Sequence, residues 1–116
     1  MSSPRVTVAC CNRNGASTLA ESISTALAQD CSDLEVLLID DGSTDDSVAI
    51  MRRIADVDAR VRVVELASHR GLAAARNVAV EEASSDCLAF IDADDLWRRS
   101  KISRQLAAMT GDVGLV

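Results

Sequence analysis

The chain has 116 residues, a length that supports one hydrophobic core and therefore one domain. Its formal net charge of -6 is opposite in sign to the positive field that binding to a phosphate backbone requires, so we expect no nucleic-acid partner. Aromatic residues make up only 2% of the sequence, so the core must consist of Val, Ile, Leu and Ala, which favours closely packed α/β layers.

Cysteine usage and hydropathy predict the compartment. The four cysteines contain no CxxC pair and are too few for a secreted disulfide scaffold, which indicates reduced thiols that can serve as small core residues. No apolar run approaches the roughly 20 residues that span a bilayer, and the amino terminus lacks the basic and apolar segments of a signal peptide. We therefore expect a cytoplasmic protein.

The first strand and helix are predicted from a change of periodicity. Val6–Cys10 is a short apolar run followed by a polar turn at residues 12–15, the pattern of a buried strand that opens into a loop. Apolar residues then recur at every fourth position from Leu19, so a helix packs one stripe against the sheet. Thr18 and Glu21 have the spacing of a capping box, which predicts that this helix begins near Thr18.

The second unit has the same order, strand and then helix. Leu34–Ile39 is a nearly unbroken apolar run, typical of a central strand that is covered on both faces, and it stops at Asp40. Ser43 and Asp46 have the spacing of a second capping box, and Val48 begins the apolar stripe of the next helix.

The second half of the chain continues this alternation. The predicted elements are, in order, the strand Val61–Leu66, the alanine-rich helix Leu72–Ala83, the strand Cys87–Ile91, a helix with Ile102, Leu106 and Met109 on one side, and a further apolar run, Val113–Val116. Strands that alternate with helices predict right-handed crossovers and a mostly parallel, doubly wound sheet between helices. We expect residues 1–116 to form one such α/β domain.

Polar clusters follow directly after all four complete predicted strands. They lie at residues 12–14, 40–43, 69–71 and 92–95. Ligands of doubly wound sheets bind at the carboxyl ends of the strands, so one crevice gathers these clusters although they are far apart in sequence.

The most specific cluster is Asp92-Ala93-Asp94-Asp95. Carboxylates two residues apart beside a turn can supply hard oxygen ligands to one metal ion and one ribose, and the ion would then offset the charge of a leaving diphosphate. In isolation this motif is more often a solvated acidic turn that caps the following helix, because Asp is common at such places.

The other two clusters are less specific when taken alone. Asp40–Asp45 combines a glycine that permits a tight turn with carboxylates able to accept hydrogen bonds from a base, but plain turn chemistry also explains it. His69–Asn77 couples a glycine to Arg76, which is suited to a nucleotide or, as the simpler alternative, to solvent. His69 alone is more often a loop residue than a catalytic base.

The segments VTV, LLIDDGSTDDS, RGLAAARN and LAFIDADDLW, in this order, resemble family 2 glycosyltransferases of the GT-A fold across almost the whole chain. The resemblance implies a Rossmann-like GT-A half-domain, the amino-terminal half that binds a nucleotide-diphosphate sugar donor for transfer to an acceptor hydroxyl. It also implies a divalent cation, Mg or Mn. The acceptor, the donor sugar and the stereochemical outcome stay open.

The resemblance implies a role for several residues. Asp41 looks like the carboxylate that pairs with the base, Asp92 like the ribose ligand, and Asp94 like the metal ligand of a DxD pair. Asp95 and Trp97 would shape the loop near the donor sugar. The implied nucleotide and metal site consists of Asn12, Arg13, Asp41, Gly42, Arg76, Asp92, Ala93 and Asp94.

Two departures from the family pattern affect these expectations. The family commonly has Pro-Thr-Tyr-Asn after its first strand, whereas this chain has Cys11-Asn12-Arg13-Asn14, so the base is open and Arg13 either stacks on it or faces solvent. Family domains also continue into an acceptor-binding half that supplies a general base. We therefore expect no general base before Val116, and a homodimer that buries the strand edge and apolar surface left there.

Two rival functions have different physical signatures. A non-catalytic module that binds a nucleotide sugar or a protein would use the same half-fold without turnover. A phosphoacceptor receiver domain also has acids at strand ends, but it needs a lysine at a late strand end, and the only lysine here, Lys101, lies in a predicted helix.

Overall fold

The structure is a computed structural model that describes residues 6–31 and 33–108. Strands and helices alternate through these residues. They are β1 (Val6–Asn12), α1 (Ala16–Leu27), β2 (Leu34–Asp40), α2 (Ser47–Val57), β3 (Val61–Glu65), α3 (Leu72–Glu82), β4 (Leu88–Phe90) and α4 (Lys101–Ala108). The predicted Val113–Val116 run and Met109 lie outside the described residues.

The four strands form one parallel sheet in the order β3-β2-β1-β4. β1 pairs with β2 along its whole length, from Val6 opposite Leu34 to Asn12 opposite Asp40. The chain builds outward from β1 to β3 and then crosses to the other side of β1 for β4, so strand order reverses beside β1. Such a reversal opens a crevice at the carboxyl ends of the strands.

Alternating side chains of the sheet build the two halves of the core. Val8 and Val36 lie in the cluster that packs against α1, α2 and α4, whereas Ala9 and Leu37 lie in the cluster that packs against α3. All seven residues of β2 are buried, as expected for a central strand. These layers confirm the predicted α/β class, with a parallel sheet between helices.

The predicted capping box of α1 is wrong. The helix begins at Ala16 with Gly15 as its N-cap, so Thr18 lies inside the first turn and its hydroxyl donates back to the Gly15 carbonyl at 3.5 Å. The amide of Ala16 donates instead to the Asp45 carboxylate at 3.1 Å. A carboxylate from the loop after β2 therefore caps α1, and it is favourably placed beside the positive end of the helix dipole.

The predicted capping box of α2 is also wrong. This helix begins at Ser47, and its N-cap Asp46 makes no side-chain capping bond. Asp45 accepts from the Ser47 amide at 2.9 Å, while the hydroxyl of Ser43 donates to Asp40 at 2.7 Å. Ser43 therefore stabilises the turn after β2 rather than the helix.

Two further findings bear on the composition. Cys10 and Cys87 are buried in the core, as expected for small apolar residues. No helix within residues 6–31 and 33–108 combines the length and the apolar character needed to cross a membrane.

Candidate functional site

The loops after β1, β2 and β4 meet at the carboxyl edge of the sheet. Asn12 is the last residue of β1, and its carbonyl accepts from the Asp41 amide at 2.9 Å. On the other side of β1, a Cβ atom built on Gly15 would lie 3.0 Å from the Cβ atom of Ala93. The topology therefore brings the predicted residues of three separate strand ends into one region.

Asp41 is a buried carboxylate that holds the loop before α3. It accepts hydrogen bonds from the amides of Arg70 at 2.7 Å and Gly71 at 2.9 Å, and its Oδ2 lies 2.9 Å from His69 Nδ1. Burial raises the pKa of Asp41, but these bonds and the nearby His69 outweigh burial and hold the pKa below its ordinary value. Asp41 is therefore negatively charged at neutral pH.

Gly42 lets this loop approach the end of β2. Its φ is +74°, in the left-handed region, and an added Cβ would lie 2.6 Å from the backbone nitrogen of His69. The sequence predicted a tight turn here, which the structure confirms. The close approach to His69 supplies a second reason for glycine, and it comes from a contact that the local sequence does not contain.

A cleft of about 150 Å³ lies beside Asp41. Its lining residues are Cys11, Asn12, Arg13, Asp41, His69, Leu72 and Ala75. The structure thus groups the predicted Asn12, Arg13 and Asp41 in one cavity. Sequence reasoning did not assign Cys11 or Leu72 to it, although both are adjacent to residues that were singled out.

Arg76 lies against an aromatic ring, and Cys11 lines the cleft with its thiol. The guanidinium carbon of Arg76 stands 5.2 Å from the centre of the Phe90 ring, and Arg76 is not among the lining residues, so its predicted place in the same pocket remains a prediction. Burial raises the pKa of the Cys11 thiol to about 11, although the charge of Arg76 lowers it. Cys11 therefore presents a neutral thiol to the cleft at neutral pH.

Asn12 has an unsatisfied acceptor. The residue is buried, and its Nδ2 donates to Asp40 at 3.3 Å and to Ser43 at 3.4 Å. Its Oδ1 is buried and has no hydrogen-bond partner among the described residues. A buried acceptor without a partner costs about 1–3 kcal/mol, which a donor from a bound molecule would offset.

Asp92, Asp94 and Asp95 form the acidic cluster at the end of β4. One carboxylate oxygen from each lies within 4.8 Å of the others. Ligands of one hard cation, at about 2.0–2.6 Å from it, lie roughly 3–5 Å from one another, so the cluster has a spacing that could hold one divalent cation. Asp95 also shapes the turn, because its Oδ2 accepts from the Asp92 amide at 3.2 Å. The sequence predicted Asp92 and Asp94 as the metal pair, and the geometry adds Asp95.

Polar side chains of α1 and of Gln29, two residues beyond its end, hold the segment that follows β4, and sequence reasoning missed them. Ser22 donates to the carbonyl of Asp92 at 2.8 Å, and the hydroxyl of Thr25 accepts from the Trp97 amide at 3.0 Å. Gln29 is buried and donates to the carbonyl of Arg98 at 2.7 Å. Ser22 and Thr25 lie three residues apart on α1, but Gln29 lies beyond the end of the helix at Leu27, so no single helical spacing marks the three residues.

The sequence pattern of the family described as Glycosyl transferase family 2 matches residues 6–116. The chain belongs to this family. An uncharacterized glycosyltransferase of Haemophilus influenzae is 37% identical over 109 residues, which cover 94% of this chain and 44% of that protein. The chain therefore spans less than half the length of this relative.

Two solved structures resemble the chain. The mannosyltransferase PcManGT from Pyrobaculum calidifontis, in complex with GDP-Man and Mn²⁺, is 30% identical with a TM-score of 0.86, covering 95% of this chain and 33% of that one. Staphylococcus aureus TarS in complex with UDP-GlcNAc is 25% identical with a TM-score of 0.80, covering 90% of this chain and 30% of that one. The fold is that of GT-A glycosyltransferases, as the resemblance implied.

Proposed function

We propose that this chain is the donor-binding half of a glycosyltransferase, and that the carboxyl edge of its sheet binds a nucleotide-diphosphate sugar together with Mg²⁺ or Mn²⁺. The observation that carries the proposal is the clustering of the Asp92, Asp94 and Asp95 oxygens within 4.8 Å after β4, at the same carboxyl edge of the sheet as the cleft beside Asp41. Nucleotide sugars carry two parts that suit these two places, a base and a metal-binding diphosphate.

Each part of the donor has a proposed partner. Asp41 accepts hydrogen bonds from the base, since three of about four acceptor positions of a carboxylate are occupied by the 69–71 loop and one stays available. Asp92 faces the ribose, and Asp94 and Asp95 hold the cation. When bound, the cation supplies positive charge that stabilises the departing nucleotide diphosphate. Arg13, exposed beside the cleft, contacts the base or the phosphates.

The relatives favour a transferase over a non-catalytic binding module. One of the solved structures described above is a mannosyltransferase in complex with a GDP sugar, and the other is in complex with a UDP sugar. Because the two differ in their base, the base used by this chain is left to experiment. We assign no general base among the described residues. Binding of an acceptor and transfer of the sugar to it are likewise part of the proposal.

Calorimetric titration of UDP, GDP and dTDP, each with and without Mn²⁺, tests the proposal. We expect one diphosphate to bind, with an affinity that rises when Mn²⁺ is present. Asp94→Ala should remove this dependence on Mn²⁺, because it deletes a metal ligand. Asp41→Ala should instead weaken the bare nucleoside and the diphosphate alike, because it deletes a partner of the base.

The matched control is Asp56→Ala, which removes an exposed carboxylate of α2 and should leave every affinity unchanged. Equal diphosphate affinity with and without Mn²⁺ in the unmodified protein would overturn the metal assignment. Absence of binding by all three diphosphates would overturn the donor site itself.

A further inference from the structure

A second and larger cavity, of about 420 Å³, lies between the loop that follows Asp95 and α4. We call it the α4 groove. Its lining includes Leu96, Trp97, Arg98, Lys101, Arg104 and Gln105. Its volume falls in the range of small-molecule sites, about 300–1,000 Å³.

The α4 groove is positively charged in an acidic protein. Residues 96–108 contain four cations and no acid, whereas the whole chain carries a net charge of -6. Within residues 6–31 and 33–108, Arg52, Arg60 and Arg62 are each paired with a carboxylate, but Arg98, Lys101 and Arg104 form no ion pair. No described carboxylate lies within ion-pair distance of these three cations, so they are available to an anionic ligand.

An aromatic wall and an unsatisfied acceptor complete the groove. The ammonium of Lys101 lies 5.2 Å from the centre of the Trp97 ring, so the ring and the charge share one surface. The Oε1 atom of Gln105 is buried and has no hydrogen-bond partner among the described residues. A ligand that fits must bring a negative charge, a face that packs on an aromatic ring, and a hydroxyl or amide that donates to Gln105.

The groove is held in place by α1 and by Gln29, which lies two residues beyond the end of α1. The side chain of buried Gln29 donates to the Arg98 carbonyl at 2.7 Å and accepts from the Ile102 amide at 3.0 Å. The Trp97 amide donates to Thr25 at 3.0 Å. These bonds fix the backbone on both sides of Ser100, so the lining residues need little reorganisation when a ligand binds.

We propose that the α4 groove binds a sugar phosphate, with the phosphate beside Lys101 and Arg104, the sugar ring on Trp97, and a hydroxyl donating to Gln105. The inference rests on the proposed function, because a sugar bound next to the donor site is placed to be the acceptor. It narrows the acceptor class to sugars that carry a phosphate group, which a neutral saccharide or an inorganic anion cannot replace.

Tryptophan fluorescence tests the proposal directly, since Trp97 is the only tryptophan and the chain has no tyrosine. We expect N-acetylglucosamine 1-phosphate to change the emission saturably. Methyl N-acetylglucosaminide and inorganic phosphate should each bind at least about tenfold more weakly, because each lacks one half of the contacts.

Variants locate the binding. Lys101→Met and Arg104→Ala should each weaken the sugar phosphate at least about fivefold, because each removes a charge that faces the phosphate. Arg53→Ala is the matched control, because Arg53 is an exposed cation of α2, and it should change nothing. Circular dichroism checks that each variant is folded.

Different outcomes test the proposed donor site and the proposed sugar-phosphate site. Asp94→Ala and removal of Mn²⁺ should leave sugar-phosphate binding intact, whereas Lys101→Met should leave nucleotide binding intact. If inorganic phosphate binds as tightly as the sugar phosphate, the groove is a simple anion site and the inference is wrong. A change of emission only with phosphatidylcholine vesicles that contain phosphatidylglycerol would overturn it in favour of a membrane surface, and no response to any probe would also overturn it.

Discussion

Gly15 is packed between the end of β1 and the acidic loop that follows β4. A Cβ atom built there would lie 2.3 Å from Asn12 Oδ1 and 3.0 Å from the Ala93 Cβ atom, although the φ of Gly15, -99°, suits any residue. The clash is therefore purely steric. We expect Gly15→Ala to lower the free energy of unfolding by about 1–3 kcal/mol, the usual cost of overpacking, measured by urea denaturation.

A double-mutant cycle identifies the cause. Asn12→Ala removes the atom that the new methyl group meets, so Gly15→Ala should cost much less in an Asn12→Ala background. Gly42→Ala is the control, because its Cβ would meet the His69 backbone and its φ is +74°, and Asn12→Ala should not rescue it. Additive losses for Gly15→Ala and Asn12→Ala would contradict the steric explanation.

At the scale of elements, α1 positions the acidic loop through one face. Ser22 is buried and donates to the Asp92 carbonyl, whereas Ser24 is exposed and its hydroxyl donates within its own helix, to the carbonyl of Glu21. Ser22→Ala should therefore lower stability by about 1 kcal/mol and weaken Mn²⁺-dependent diphosphate binding, because the Asp92 carbonyl loses its donor.

The paired variant Ser24→Ala makes the same chemical change on the solvent side of α1. It should leave binding unchanged and stability equal or slightly higher, since alanine has the higher helix propensity. Calorimetric titration and urea denaturation of the two variants measure both effects. Equal behaviour of the two serine variants would show that the contact with Asp92 does not position the site.

The same scale shows how far the sequence could predict the fold. Periodicity was sufficient for the strands and helices, because the apolar stripes of β2 and α1 are local patterns that burial enforces. The helix starts were wrong, because the carboxylate that caps α1 comes from Asp45, 29 residues away from Ala16. The polar clusters were predicted to meet from topology alone, but the holding roles of Ser22 and Gln29 depend on packing that no local pattern contains.

At the scale of the whole molecule, the two ends of the sheet carry different polar networks. The candidate site occupies the carboxyl end, whereas Glu35, near the amino ends of the strands, lies buried opposite Thr7. The Glu35 carboxylate accepts from Thr7 at 2.9 Å, Arg62 at 2.6 Å and the Ser84 amide at 3.2 Å. A glutamate inside an otherwise apolar run gave no reason at the sequence level to expect this network.

Protonation of Glu35 should make the fold sensitive to acid. Burial raises the pKa of Glu35, but the hydrogen bonds from Arg62, Thr7 and Ser84 outweigh burial and lower it below the ordinary value of 4.5. A folded-state pKa below the unfolded one stabilises the fold above about pH 4.5, and this stabilisation is lost as the pH falls through the folded-state pKa. Asp41 has the same sign and adds to the loss.

Glu35→Gln separates the two ends of the sheet. The amide cannot carry the charge that Arg62 faces, so we expect the free energy of unfolding at pH 7 to fall by about 1–3 kcal/mol and its decline between about pH 5 and pH 3 to become shallower. Diphosphate affinity should not change, because Glu35 lies at the opposite end of the sheet from Asp41. Urea denaturation across this pH range, with calorimetry at pH 7, measures both. An unchanged pH dependence, or a loss of diphosphate affinity in a folded variant, would show that the two networks are not separate.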